Sequence, residues 1–373
     1  MVQLIFSIVI LEFLISVCCA TDATLSLPMK IVNNAGHTLQ SHTVQTEDGY
    51  LLTMFRIPGP PGSTPIFLQH GILGSSDSWI LIENDSLAIK LANLEYDVWL
   101  GNSRSSVYSR THTILENTDE EFWNYSFHEI GTQDLPAMIN YVTSNTGKNV
   151  IYMGFSMGTT SFFVMASEKP EMSSKIDLAF ALAPIVYLDD LDVPNSNFAI
   201  KFFLGKKSFG SNSGWTIIPF KNKIAYKISK CSKEHIKENY LEQVLKVSFG
   251  TTSVKTIKHL SQQRDTGKFR QFDYGEKNFE IYNNSSPPEY NLKKIKIPVV
   301  LITSYGDVFS TPENVEKLYE QLPNVYGGII INSKKICHFD FMYGEYAEKY
   351  IYEKIFDFLK KFEKEKRENI EKK

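Results

Sequence analysis

Val150-Ile-Tyr-Met-Gly154-Phe155-Ser156-Met157-Gly158-Thr159-Thr160-Ser161-Phe162-Phe163-Val164 is the stretch on which the reading of the fold turns. Val150 to Met153 is a short, unbroken apolar run, as expected of a strand buried on both faces. The residues after Gly158 read as a helix. Between the two lies Gly-x-Ser-x-Gly. A sharp strand-to-helix turn lifts a serine oxygen clear of the backbone, and close packing there leaves room only for glycine at 154 and 158. The helix beginning beside it presents unpaired N–H groups and the positive end of its dipole. In that setting Ser156 reads as a nucleophile rather than as part of a plain glycine-rich turn.

The same alternation extends outward. His42 to Ile57 reads as two strands joined at Asp48-Gly49, and Pro65 to His70 as a buried strand meeting a loop. Ser86 to Leu94 and Asp134 to Ser144 carry helical spacing, and Tyr96 to Leu100 and Ile176 to Ala183 read as strands. Near Pro184 the rhythm stops, and from 186 to 294 no βα alternation is evident. That stretch is rich in Lys, Asn, Ser and aromatics, with helices expected around 197–205 and 233–248. Rhythm returns with strands at Ile297 to Thr303 and Gly328 to Asn332, and helices at Val315 to Leu322 and Tyr346 to Phe362. The organisation expected is an α/β core in two parts, residues 21–185 and 295–373, with a cap or lid inserted at 186–294. Its sheet is mostly parallel, with helices on both faces. The Lys/Glu-rich end from Lys360 to Lys373 reads as a solvated helix end or frayed tail.

A serine hydroxyl needs a base to take its proton. In hydrolases built on such a sheet, the chain order is serine, acid, histidine. Only His235, His259 and His338 follow Ser156. His235 and His259 lie on Lys-rich segments of the irregular stretch and are expected at the surface. His338 follows the last core strand, where a base must sit to reach the serine across the strand tips. The acid should follow the preceding core strand, as Asp307 does in Ser304-Tyr-Gly-Asp307; Asp340 is the rival acid, better suited to a structural role beside the base. An oxyanion hole needs two backbone N–H groups aimed at the developing charge. The expected donors are Met157, after the nucleophile, and Ile72, in the loop Gln69-His70-Gly71-Ile72-Leu73, with His70 orienting that loop.

These residues resemble the acid lipase family of α/β-hydrolases, the lysosomal acid lipase and gastric lipase type. The resemblance runs from about His42 to Phe358. It is carried by Thr46-Glu-Asp-Gly-Tyr-Leu-Leu52, Leu68-Gln-His-Gly-Ile-Leu73, Asp97-Val-Trp-Leu-Gly-Asn-Ser-Arg104, Asp134-Leu-Pro-Ala137, Gly158-Thr-Thr160, Ala181-Leu-Ala-Pro184 and His338-Phe-Asp-Phe-Met-Tyr-Gly344. It implies the α/β-hydrolase fold with a cap and lid, a Ser156–Asp307–His338 triad, and hydrolysis of neutral-lipid esters such as triacylglycerols or sterol esters. The chain departs from the family in having Phe155 and Met157 where His and Gln usually flank the serine, and Ser105 and Ser106 after Arg104. A cap cysteine pair is common in the family, but only Cys231 lies in this cap, so no cap disulfide is expected.

Composition narrows the alternatives. The chain has 373 residues, 43% of them hydrophobic, enough for a sizeable core. Lys and Arg number 39 against 42 Asp and Glu, so there is no basic excess to bind nucleic acid. Leu4 to Val17 is apolar apart from Ser7, Glu12 and Ser16, too short for the ~20 residues of a bilayer span. With Cys18-Cys19-Ala20 behind it, residues 1–20 read as a signal peptide. Its removal leaves a net charge of −2 and only Cys231 and Cys337, so at most one disulfide. Glycosylation acceptors stand at Asn84, Asn124, Asn283 and Asn284. A secretory route follows, to the outside or to the lysosome. No metal or cofactor motif is present, no transmembrane span is expected, and a monomer suffices. The expected partner is a neutral-lipid ester, met at a lipid–water interface. Two rivals remain from the residues: an esterase for small soluble esters, and a lipid-binding protein of hydrolase ancestry without turnover.

Overall fold

The computed structural model describes residues 27–189, 215–216, 235–236, 240, 243–244 and 250–372. Eleven strands are found among them. They are β1 (Gln40–Gln45), β2 (Tyr50–Ile57), β3 (Pro65–Gln69), β4 (Asp97–Gly101), β5 (Thr111–His112), β6 (Val150–Phe155), β7 (Ile176–Leu182), β8 (Trp215–Thr216), β9 (Thr251–Thr252), β10 (Val299–Ser304) and β11 (Val325–Ile331). Nine form one sheet in the order β1-β2-β4-β3-β6-β7-β10-β11, with β5 beside β2; β8 and β9 form an antiparallel pair. From β4 to β11 every pairing is parallel, and β1, β2 and β5 add an antiparallel edge.

The central strands are buried on both faces, and side-chain alternation divides them between two cores. On one face Ile66 and Leu68 of β3, Ile151 and Met153 of β6, Phe180 of β7 and Ile302 of β10 pack together. The helices Leu87–Asn93 and Glu353–Glu371 cover that face through Ile89, Leu91, Ile355 and Leu359. On the other, Phe67, Tyr152, Ala181 and Leu301 meet the helices Leu135–Thr146, Met157–Glu168 and Pro312–Gln321. Each such Leu, Ile or Phe withdrawn from water contributes about 1.5–3 kcal/mol before the entropy of ordering is counted.

After β3 the chain steps to β4 on one side, then crosses to β6 on the other. The C-terminal tips of β3 and β6 therefore flank the point where strand order reverses, the place where open α/β sheets leave a crevice for ligands. The loops after β3, β6, β10 and β11 all leave from that end.

Most expected elements form within a few residues of their expected bounds. The helix expected at Asp134 to Ser144 runs Leu135–Thr146 and is preceded by a π turn, Ile130–Asp134. The charged C-terminal stretch is helical to Glu371. The helix expected around 197–205 lies outside the described residues, as does most of that around 233–248. Among the described residues no helix is long and apolar enough to cross a membrane.

Two histidines are not where the sequence reading put them. His235 is partly buried, against Tyr346. His259 is only 1% exposed. It sits in the helix Val254–Thr266, its ring stacked 3.9 Å from Phe127, its nitrogens within reach of Ser126 Oγ at 3.0 Å and the Arg270 carbonyl at 2.9 Å. The buried face of this helix is largely polar (Thr256, His259, Gln263), so a segment that carries lysines can still bury its histidine.

Burial pushes His259 from 6.5 down to about 3. It is neutral in the fold but gains a proton in the unfolded chain as the pH drops below 6.5. Its contribution is thus fully present above pH 6.5 and is lost as the pH falls toward 3, a difference on the order of 5 kcal/mol. Denaturation midpoints of the wild type should fall more steeply between pH 6.5 and 3.5 than those of His259→Asn. Parallel curves would show that the histidine is not the source.

Candidate active site

Ser156 follows β6 directly, with φ 54° and ψ −123°, a conformation that costs about 1–3 kcal/mol outside glycine. The turn is held on both sides. Its N–H donates to the Leu182 carbonyl at 3.0 Å, and its carbonyl accepts from the Thr159 N–H at 2.8 Å and the Thr159 hydroxyl at 2.6 Å. A Cβ on Gly158 would stand 2.5 Å from the Gln69 carbonyl oxygen, and one on Gly154 would stand 2.9 Å from the Gly158 carbonyl carbon. Both glycines of the motif are thus required by close backbone approach.

Asp307 lies in the loop after β10 and is buried. Its Oδ1 accepts from the N–H groups of Phe309 at 2.9 Å and Ser310 at 3.0 Å, which leaves Oδ2 aimed outward. His338 follows β11 by a short loop. Its Nδ1 lies 2.8 Å from Asp307 Oδ2, and its Nε2 lies 2.8 Å from Ser156 Oγ. A carboxylate only accepts, so Nδ1 carries the proton and Nε2 is left to accept from the serine hydroxyl. The structure therefore brings together Ser156, Asp307 and His338 from three separate loops. Asp340, the rival acid, points elsewhere: its Oδ2 takes the Cys337 N–H at 2.7 Å.

The loop after β3 runs across the elbow. A Cβ on Gly71 would come within 3.0 Å of the Ser156 Cβ, so this loop passes against the nucleophile. The loop is pinned by buried His70. Its Nδ1 donates to the Gly71 carbonyl at 2.8 Å, and its Nε2 accepts the Ser103 N–H at 3.2 Å. Burial pushes this imidazole down to about 4, which keeps it a neutral strut. Further along, Gly250 donates to the Leu73 carbonyl at 2.7 Å, and Asn102 takes the Ser76 N–H at 2.8 Å. Met157, the other expected donor, is the first residue of the helix Met157–Glu168, where backbone N–H groups have no partner within the helix.

Several neighbours were not foreseen. Phe155 lays its ring 4.9 Å from that of His338, and Phe309 meets the imidazole edge-on at 5.1 Å. A Cβ on Gly306 would stand 2.4 Å from the Ile336 carbonyl oxygen, so glycine there lets the acid loop and the histidine loop touch. Asp77, just past the β3 loop, receives the Tyr108 hydroxyl at 2.8 Å, and burial pushes its carboxyl up to about 6. Arg104, 1% exposed, donates to Asp134 and Asp48 while lying 3.9 Å over the Tyr50 ring. It thereby locks the loop that also carries Ser103. Cys337 is disulfide-bonded; it is the only cysteine among the described residues, so its partner lies outside them.

A parallel sheet with a serine at a strained strand-to-helix elbow, bonded to a histidine and through it to an aspartate, defines the α/β-hydrolase class. The comparisons with known proteins agree. Residues 64–344 match the alpha/beta hydrolase fold family, and residues 28–83 match the partial alpha/beta-hydrolase lipase region. Lipase 1 of Drosophila melanogaster is 35% identical over 361 residues, covering 91% of this chain and 81% of that protein. Human lysosomal acid lipase/cholesteryl ester hydrolase is 31% identical over 363 residues, covering 90% of each. Among solved structures, a hydrolase from Pseudomonas aeruginosa superposes with a TM-score of 0.56 at 12% identity, covering 86% of this chain and 98% of that one. The chain belongs to the α/β-hydrolase lipase family and is a carboxylic ester hydrolase.

Proposed function

We propose that this chain cleaves carboxylic esters of neutral lipids, triacylglycerols or sterol esters, through an acyl-enzyme on Ser156. The observation that carries the assignment is the His338 imidazole set 2.8 Å from both Ser156 Oγ and Asp307 Oδ2. Ser156 attacks the ester carbonyl as His338 takes its proton, and Asp307 holds the imidazole in the tautomer that leaves Nε2 free to accept. The oxyanion is held by the N–H groups of Ile72 and Met157. His338 then protonates the leaving alcohol, and water repeats the sequence on the acyl-enzyme. The lipid substrate rests on relatives named as lipases, one of them a cholesteryl ester hydrolase.

Residues 186–294 are proposed to act as a cap over the serine, lining an apolar groove for the acyl chain. The chain is proposed to enter the secretory pathway after loss of residues 1–20, bound for the outside or the lysosome. Asn84, Asn124, Asn283 and Asn284 are all exposed, which supports their reading as glycan acceptors.

A fluorophosphonate probe should label the purified chain at Ser156, and the same preparation should hydrolyse a triacylglycerol emulsion or a cholesteryl ester. Activity confined to a short soluble nitrophenyl ester would defeat the lipid assignment while leaving the serine mechanism standing.

A further inference from the structure

Asp340 is only 1% exposed, and a carboxylate so buried must be held by donors. It belongs to the turn that presents His338. Its Oδ2 accepts the Cys337 N–H at 2.7 Å, and its own N–H donates to the Cys337 carbonyl at 3.0 Å. These reciprocal bonds close a ring with His338 inside it and fix the backbone from which the imidazole projects. Cys337, at the other end of the turn, is anchored covalently by its disulfide.

The same carboxylate oxygen is approached from outside the turn. His235 Nδ1 lies 3.5 Å from Asp340 Oδ2. The His235 carbonyl accepts the Glu345 N–H at 2.8 Å, just past the short helix Asp340–Tyr343, and its ring meets Tyr346 edge-on at 5.8 Å. His235 therefore touches the histidine turn through its side chain, and the chain just beyond that turn through its main chain. In the chain it belongs to the segment between β7 and β10, far from the strands that carry the nucleophile and the acid.

We infer that Asp340 is a positioning residue for His338, and that His235, delivered by the segment inserted between β7 and β10, holds the Asp340 carboxylate in place. The inference rests on the Ser156–Asp307–His338 assignment proposed above. Its physical content is that the direction of the His338 imidazole depends on where His235 is seated. A displacement of about 1 Å at a reacting group costs on the order of 10²-fold in rate, so a turn loosened at Asp340 should lower turnover without weakening ester binding.

The test uses the full chain with Asp340→Ala, Asp340→Asn, His235→Phe and His235→Asn, reading kcat and KM on a nitrophenyl butyrate, melting temperature, and the rate of fluorophosphonate labelling at Ser156. Asp340→Ala should lower kcat and labelling about 10–100-fold with KM within about 2-fold. Asp340→Asn keeps an acceptor for the Cys337 N–H and should recover much of that loss. His235→Phe keeps a ring but no donor and should lower kcat about 3–10-fold, a loss that His235→Asn should reduce. Wild-type kcat and labelling in folded Asp340 variants would overturn the inference. Should the Asp340 variants fail to fold, His235→Phe decides, and unchanged kcat there overturns it equally. Labelling of the unaltered chain separates the two readings: its absence at Ser156 removes the hydrolase assignment and this inference with it, whereas normal labelling with unaffected variants removes the inference alone.

Discussion

Replacing Ser156 by Ala should lower kcat about 10⁴–10⁶-fold with little change in folding. The two parts of that expectation have separate physical sources. Alanine meets the same backbone strain at φ 54° as serine does, so the elbow neither gains nor loses a steric conflict. Among the described residues the hydroxyl bonds to His338 Nε2, and an imidazole at the strand tips can take water in its place. What disappears is the oxygen that forms the acyl bond. The Ile72 and Met157 N–H groups remain, so a small residual rate above water is expected from oxyanion stabilisation alone. The measurement is kcat on a soluble ester with highly purified protein, beside a melting curve. Hydrolysis by the alanine variant within tenfold of the wild type would mean that another residue carries the chemistry.

How much of this was legible before any coordinates depended on where backbone spacing and hydropathy speak. The run Val150 to Met153 and the two glycines around Ser156 located the central strand and its elbow, because a strand buried on both faces must be continuously apolar and a tight elbow must be small. Chain order then picked Asp307 and His338. The remainder is written in polar or aromatic contacts between segments far apart in sequence. His259 looked like a surface residue because the buried face of its helix is made of Thr256, His259 and Gln263, which hydrogen bond where apolar residues usually pack. Nothing local to Phe155 reveals that it lies against an imidazole 183 positions later in the chain. Gly306 carries no motif; its need appears only when the Ile336 carbonyl is found where its Cβ would be. The stretch from 186 to 294 gave no alternation to read, and the tie between His235 and Asp340 crosses from it into the core.

The second large effect expected is from Asp307→Asn, a change of one atom that should cost on the order of 10⁴-fold in kcat. The reason lies in how the carboxylate is already committed. Oδ1 accepts two main-chain N–H groups, from Phe309 and Ser310, and these fix the plane of the group. An asparagine must place its single oxygen at that position, because an amide NH2 facing two N–H donors would leave them all unpaired. Its NH2 then faces His338 Nδ1, where the carboxylate had accepted a proton-bearing nitrogen at 2.8 Å. Two donors cannot share that gap, so the imidazole shifts its proton to Nε2. The nitrogen beside Ser156 Oγ becomes a donor and no longer takes the serine proton. The fold should survive, since the loop keeps its main-chain bonds, and KM should move little because neither group binds the acyl chain. Kinetics and fluorophosphonate labelling should fall together, because both need the same activated hydroxyl. This variant also decides between the two candidate acids. Were Asp340 the partner of the base, Asp307→Asn would leave more than a tenth of the activity, but Asp340 Oδ2 is turned toward the Cys337 N–H and His235, and the carboxylate that meets His338 Nδ1 is that of Asp307.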